Sequence, residues 1–321
     1  MSLTISLCFI CDEQYVMPTT VAITSVISNK NSADHYDIYV ITNHISDESV
    51  DVFKQLETES GRIIIIESKD SEKYEKFKMK HFHVTTTDLL KFELPYLLPD
   101  DLDKVLYLDG DVIVQKDLTP LFIENIEDVY AGVIKDYYVV FNPDNFQKRL
   151  NVKHKDYFNA GVLLLNLKKL RDDNIPELLF RHRNSHDDKY MDQDTFNVIL
   201  RENVKYLSFY CNLQYHCWIY DTKDLAEYYG IKMANSKFEW IKDALVIHYT
   251  WLKPWKHADY FAADIWLYYY LQSPFKNAAL KRDLLNEDPS IVKVIAELRL
   301  TIKRNKAALL KERDNSIEKF F

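Results

Sequence analysis

Residues 104–118 read KVLYLDGDVIVQKDL, an apolar run cut by Asp109-Gly110-Asp111 and resumed at once. Val105, Leu106, Tyr107 and Leu108 form a continuous apolar stretch, the pattern of a strand buried on both faces and therefore of a sheet covered by helices on each side. In such sheets ligands bind at the carboxyl ends of the strands, which is where the two aspartates fall. Side chains at i and i+2 of an extended segment point the same way, so both carboxylates can grip one hard cation. Gly110 between them lets a ligand approach the backbone. Taken alone, the same letters also describe an ordinary Asp-Gly turn.

The chain around this stretch alternates strands with helices. Thr4 to Ile10, Tyr36 to Ile41 and Arg62 to Ile66 read as strands; Thr19 to Asn29 and Asp47 to Glu59 carry helical periodicity between them, and alternation of this kind implies a parallel sheet. A further helical segment, Thr87 to Leu98, leads into the Asp109 strand. Later strands are expected at Tyr130 to Ile134, Phe158 to Leu165 and Leu245 to His248, with a helix at Gln193 to Leu200. After Trp255 the pattern turns helical: an aromatic segment at Ile265 to Leu271, then Ile291 to Arg313, whose apolar residues fall near one face while Arg299, Lys303, Arg304, Lys306, Lys311 and Arg313 crowd elsewhere. This amphipathic basic helix is expected to dock on the catalytic domain with a solvated outer face, with peripheral membrane contact as the second reading. The expected class is α/β: residues 1–255 as one nucleotide-binding domain with a mainly parallel twisted sheet flanked by helices, and 256–321 as a C-terminal helical extension.

Composition narrows the function. With 41 Lys plus Arg against 49 Asp plus Glu, the formal charge of -8 argues against a nucleic-acid partner. No apolar run approaches the roughly 20 residues of a transmembrane helix, and the start, MSLTISLCFICDEQ, lacks a basic leader segment, so a cytoplasmic location is expected. Cys8 and Cys11 have C-x2-C spacing, but their odd offset in a strand sends them to opposite faces, which fits core packing better than zinc. Only 5 glycines occur and none cluster, which excludes a dinucleotide fingerprint and a P-loop. Any bound anion must be held by metal and side chains.

Four other segments interrupt their surroundings with polar groups. Phe9-Ile-Cys-Asp-Glu-Gln-Tyr15 ends the first strand, Asn159-Ala160-Gly161 breaks the apolar run FNAGVLLLN, Asp192-Gln193-Asp194 opens a helix, and HYTWLKPW follows the last strand from His248 to Trp255. Each has a plain structural explanation: a turn cap at Asp12, a bulge at Asn159, a helix cap at Asp192, a satisfied core histidine at His248.

In their order, however, YLDGDVIVQKDLTPLF, FNAGVLLLNLKKLR, DQD and HYTWLKPW resemble glycosyltransferase family 8, the retaining sugar-nucleotide-dependent enzymes that include bacterial lipopolysaccharide α-galactosyltransferases and glycogenin. The resemblance runs from about residue 4 to Trp255 and implies a GT-A type fold. It further implies that Asp109, Asp111 and His248 bind a divalent ion, for which one imidazole and two carboxylates suit Mn²⁺. A UDP-sugar would be the donor. Ile10, Cys11, Asp12, Gln14 and Tyr15 match the nucleoside-binding segment, with Tyr15 on uracil, Gln14 near the ribose and Gly110 beneath the nucleoside. Lys253 matches the lysine on the phosphates, while Asp136, Asn159, Ala160, Gly161, Asp192 and Gln193 match the wall around the donor hexose, glucose or galactose. The acceptor would be a glycan or a lipid- or protein-linked glycoconjugate.

Two departures from the family pattern stand out. Lys91 occupies the place of an arginine, and a lysine cannot form the bidentate fork of a guanidinium. Trp251 replaces a glycine in H-Y-x-G-x-x-K-P-W, and one residue is missing there. For retention of configuration, Asp192 is the candidate nucleophile of a double displacement, whereas Gln193 suits same-face attack with the amide stabilising a cationic sugar; the second is the favoured expectation. Two other classes compete: a phosphatase of the haloacid dehalogenase type using the D-x-D aspartate, and a non-catalytic scaffold that binds sugar nucleotide.

Overall fold

The computed structural model describes residues 3–31, 34–68, 86–138, 150–186 and 188–280. Seven strands form the main sheet in the order β3-β2-β1-β4-β7-β6-β8: β1 (Thr4–Ile10), β2 (His35–Thr42), β3 (Gly61–Glu67), β4 (Lys104–Leu108), β6 (Ala131–Lys135), β7 (Phe158–Asn166) and β8 (Val204–Tyr206). A small second sheet joins β5 (Val112–Val114), β10 (Val246–His248) and β9 (Leu213–Gln214). The expected parallel arrangement holds with one exception: β7 runs antiparallel to both neighbours, β4 and β6.

Strand alternation feeds two cores. Ile5, Leu7 and Phe9 of β1 with Leu106 and Leu108 of β4 pack on one face, while Cys8, Ile10, Val105 and Tyr107 pack on the other. Cys8 and Cys11 accordingly belong to opposite cores, and burial pushes both thiols well above the usual range. In β7 the alternation breaks: Phe158 and Ala160 face the same core as Leu163 and Leu165, whereas Val162 and Leu164 face the other. The register against β6 jumps across this stretch, with Gly132 opposite Leu164 but Ile134 opposite Asn159. An irregularity of this kind re-aims side chains, here those of Asn159-Ala160-Gly161.

Helices follow the expected alternation with instructive differences. The first, Val16–Asn29, packs Ala22, Ile23 and Val26 into the core of Ile5, Leu7 and Phe9; the second ends at Lys54 rather than Glu59. Lys54 there donates to the carbonyl of Ile63 at 2.7 Å and the Glu57 carboxylate accepts from the Ile63 N–H at 3.1 Å, so these side chains stitch the turn to β3. Thr87 to Leu98 is not one α-helix but a 3₁₀ segment, Thr86–Glu93, followed by the single turn Leu94–Leu97 with Pro95 in its first positions. Proline disfavours a helical conformation in the residue before it and removes a donor, which breaks the continuity.

Residues beyond Trp255 begin by packing on the same body. The helix Ala263–Tyr270 lies against Val16–Asn29, with Trp266 fully buried and the Asn29 amide donating to the Tyr269 hydroxyl at 2.8 Å. Trp266, Tyr269 and Tyr270 share a third core with Val21, Ile113 and Trp240. The basic segment Ile291 to Arg313 lies outside the described residues. No helix among the described residues is long and apolar enough to cross a membrane.

Candidate active site

The reversal of β7 explains how distant motifs meet. Because β7 runs against β4, its start lies beside the end of β4, and the Asp109 N–H donates to the Gly161 carbonyl at 2.8 Å. β10 lies antiparallel on β5 with His248 opposite Val112, and the Tyr249 N–H donates to the Asp111 carbonyl at 3.0 Å. His248 Nε2 thereby lies 3.2 Å from Asp111 Oδ1 and 3.6 Å from Asp109 Oδ2. The ligand atoms of the three residues all fall within 4.8 Å of one another. Gly161 makes this convergence possible: a Cβ there would stand 2.2 Å from His248 Cε1 and 2.5 Å from Asp109 Oδ2. Two carboxylate oxygens and one imidazole nitrogen around a shared centre fit a divalent ion of the Mn²⁺ type.

Two buried lysines hold the outward oxygens of the same carboxylates. Lys91 Nζ donates to Asp192 Oδ2 at 2.7 Å, to the Ala160 carbonyl at 3.2 Å and to Asp109 Oδ1 at 3.3 Å, and sits 4.6 Å over the Tyr107 ring. The Tyr107 hydroxyl also donates to Asp109 Oδ1, at 2.6 Å. Lys253 Nζ bonds Asp111 Oδ2 and the Tyr249 carbonyl. With Oδ1 of Asp109 and Oδ2 of Asp111 engaged by lysines, the opposite oxygens are the ones turned toward His248 Nε2. Burial would discharge Lys91, but the charges of Asp109 and Asp192 outweigh it and hold the ammonium above the ordinary lysine range. Burial likewise opposes ionisation of Asp111, yet Lys253 and His248 keep its carboxyl far below the usual carboxylate range. Burial pushes Asp192 up, against the pull of Lys91.

These groups form the floor of a cavity of about 880 Å³. Of the residues expected from sequence, Ile10, Asp12, Tyr15, Lys91, Asp109, Gly110, Asp111, Asp136, Asn159, Ala160, Gly161, Asp192, Gln193, His248 and Lys253 all line it. Cys11 and Gln14 are not brought to its wall: Cys11 is buried with its thiol on the Asp12 carbonyl, and Gln14 is exposed. Asp12 does cap a turn, its Oδ1 accepting from the Tyr15 N–H at 3.0 Å, and lines the cavity as well. Asp192 caps nothing; Asp194 accepts from the Tyr190 N–H at the start of the helix Met191–Leu200. Gly110 carries a further constraint: a Cβ would stand 2.3 Å from Thr19 Oγ1 and 3.3 Å from Tyr15 Cδ1, so glycine also makes room for protein side chains.

Gln193 is held on all sides. Its Oε1 accepts from Asn159 Nδ2 at 3.0 Å and from the Ala160 N–H at 3.1 Å, while its Nε2 donates to Asp136 Oδ2 at 3.1 Å and to the Tyr157 hydroxyl at 3.2 Å. One turn further along the helix, Asn197 exchanges hydrogen bonds with both backbone groups of Phe158, which clamps the helix to β7. Such support restricts the amide to one orientation.

Several lining residues escaped sequence reasoning. His216 is buried on the cavity wall, 3.1 Å from the Tyr229 hydroxyl through Nε2, and burial lowers its pKa to about 4, so it is neutral at neutral pH. Tyr157, Tyr138, Tyr190, Tyr215 and Tyr220 line the same space. Trp251 lines it too while remaining 61% exposed, an unusual position for a large aromatic. It is the residue already marked in the sequence by its departure from the H-Y-x-G segment.

Comparison with known proteins places this geometry. The chain is 26% identical over 282 residues to a lipopolysaccharide 1,2-glucosyltransferase of Escherichia coli, covering 84% of this chain and 79% of that one. A second lipopolysaccharide 1,2-glucosyltransferase, from Escherichia coli strain K12, is 28% identical over 253 residues, 76% of this chain and 70% of its own. Among solved structures, the galactosyltransferase LgtC in complex with donor and acceptor sugar analogs superposes with a TM-score of 0.72 at 24% identity, over 84% of this chain and 96% of that one, a likeness of fold. The model of the family described as Glycosyl transferase family 8 matches residues 6–259, from the first strand past the last motif of the cavity, and the chain belongs to that family of glycosyltransferases.

Proposed function

We propose that this chain transfers a hexose, glucose or galactose, from a UDP-sugar to a glycan or glycoconjugate acceptor, with retention of anomeric configuration and with Mn²⁺ in the Asp109–Asp111–His248 corner. The observation that carries the reading is the position of that corner: it lies on the floor of the cavity with Gln193 and Asp192 on the same wall. A divalent ion bound there would stabilise the negative charge that develops on the departing diphosphate, and Lys253 stands in the same place as a cation for the phosphates. Residues 1–255 would carry the nucleotide and sugar sites, and the segment after 255 would extend them.

The arrangement also favours one route to retention. Asp192 is paired with Lys91 at 2.7 Å, and a carboxylate held in an ion pair is a weakened nucleophile. Gln193 is uncharged and fixed by four hydrogen bonds, suited to facing a cationic sugar without attacking it. The acceptor hydroxyl then attacks on the face the diphosphate leaves, and the leaving phosphate takes its proton. Exposed aromatic groups at the rim, Trp251 and Tyr138 among them, offer apolar faces for sugar rings. The names of the relatives favour a lipid-linked glycan as acceptor.

The test is to incubate the protein with Mn²⁺ and a panel of UDP-sugars and to measure UDP release with water as default acceptor. Release with one or two UDP-hexoses is expected; an acid-stable, base-labile phosphoenzyme on Asp109 would instead establish the phosphatase reading, and binding of UDP-sugar without turnover the scaffold reading. Tyr15 gives a second check. Its ring lines the cavity and stands edge-on to Trp255 at 5.9 Å. If it stacks on uracil, Tyr15→Ala weakens UDP binding by about 1 to 3 kcal/mol and Tyr15→Phe restores it, read by calorimetry. Unchanged affinity in the alanine variant returns Tyr15 to a packing role.

A further inference from the structure

Two side-chain amides, Asn212 and Asn159, connect the metal corner to Gln193, and the polarity of the chain is set by two backbone N–H groups. The Gly161 N–H donates to Asn159 Oδ1 at 2.9 Å, and a backbone N–H can only donate. Asn159 Oδ1 is thus an acceptor, so the Asn212 group facing it at 2.9 Å must be Nδ2. Asn212 then turns its Oδ1 to His248 Nδ1, 3.0 Å away, and that nitrogen carries the hydrogen. The other ring nitrogen, Nε2, is left to face Asp109 and Asp111. In the opposite direction Asn159 Nδ2 is a donor, matching Gln193 Oε1, which also accepts from the Ala160 N–H. Asn212 is fully buried and Asn159 nearly so, which limits competition from solvent for these groups.

We infer that Asn212 is a positioning residue that acts on both ends of this chain: it fixes the His248 ring with Nε2 toward the ion, and by its bond to Asn159 it ties that ring to the amide of Gln193. It lies just before β9, on the far side of β10 from β5, and touches none of the reacting groups. The partner of a ligating histidine's other nitrogen commonly governs metal affinity by 10- to 100-fold, because it sets tautomer and ring orientation. The link to Asn159 adds something a local partner would not: disturbing the ligand ring and disturbing the catalytic amide become one event. The inference rests on the metal reading of Asp109, Asp111 and His248.

Two substitutions separate the two ends. Asn212→Ala removes both bonds; its Mn²⁺ dissociation constant, measured by electron paramagnetic resonance of free Mn²⁺ without any sugar, is expected to rise about 10- to 100-fold. Asn212→Asp keeps an acceptor for His248 Nδ1 but presents an oxygen to Asn159 Oδ1, which already accepts from Gly161. That variant is expected to bind Mn²⁺ within about threefold of wild type, yet to turn over UDP-sugar about tenfold more slowly or worse at saturating Mn²⁺, a split that a residue merely filling space would not produce. Equal Mn²⁺ affinity in wild type and Asn212→Ala overturns the inference at the histidine end. Full turnover of Asn212→Asp overturns it at the Gln193 end, and this variant decides alone if the alanine one does not fold. Wild type that binds no Mn²⁺ overturns the metal reading itself.

Discussion

Chelation of divalent ions is expected to abolish turnover while leaving the protein folded, with Mn²⁺ restoring full activity. The two halves of this expectation have separate causes. Stabilising the leaving diphosphate is worth several kcal/mol, and at 1.4 kcal/mol per factor of ten the loss of that contribution is a fall of about 10³-fold or more. The fold survives because the corner offsets most of its own charge: the three carboxylates of Asp109, Asp111 and Asp192 are met by the two ammonium groups of Lys91 and Lys253. Asp111→Asn should reproduce the kinetic loss even with excess Mn²⁺. It should also lower thermal stability, because Lys253 is buried and would lose its carboxylate partner, and breaking such a pair typically costs about 3 to 5 kcal/mol. Full turnover in excess chelator would sink the metal assignment; unfolding on chelation would sink the charge-balance argument.

Replacing Gln193 decides between the two routes to retention. Under same-face attack Gln193→Ala should reduce turnover by roughly 10² to 10³, the range of losing one oriented dipole at a developing charge, with UDP affinity nearly unchanged. Gln193→Glu should give no gain: its second carboxylate oxygen would face Asp136 Oδ2, now 3.1 Å from the amide nitrogen, so two like charges would meet in a partly buried site. If Asp192 is the nucleophile instead, Asp192→Ala should abolish transfer and external azide should rescue it with inverted configuration. Mass spectrometry of the wild type held with donor and no acceptor provides the direct observation, since a glycosyl adduct on Asp192 would overturn the same-face route.

Much of this site was legible because its carriers break strong local patterns. Asp109 and Asp111 interrupt an apolar strand, Asn159 and Gly161 interrupt another, and β1 falls at Thr4–Ile10 as expected from its mostly apolar run. The direction of β7 was not legible, because a strand buried on both faces shows the same continuous run whether its neighbours are parallel or not. Asn212 and His216 left no trace either. Each is a polar residue in an aromatic-rich stretch without regular periodicity, and each meets partners elsewhere in the sequence, His248 and Asn159 for Asn212 and Tyr229 for His216. Gly110 was legible as a cavity residue but its closeness to Thr19 was not, because no local pattern encodes how near the helix Val16–Asn29 comes to the end of β4.

The reversal of β7 also orders events on the ribosome. Strands β1 to β4 can pair as they emerge, but β4 then presents an unpaired edge, apolar from Val105 to Leu108, until the chain has been made as far as Asn166. An exposed edge of this kind invites pairing with other chains, so the nascent protein is most prone to aggregate while some 60 residues after β4 are being synthesised, a window of about 3 to 12 s at about 5 to 20 residues per second. The proposed metal corner comes later still, because His248 must be translated and β10 laid on β5 before the third proposed ligand arrives. A half-made chain can therefore hold a sheet without holding an ion.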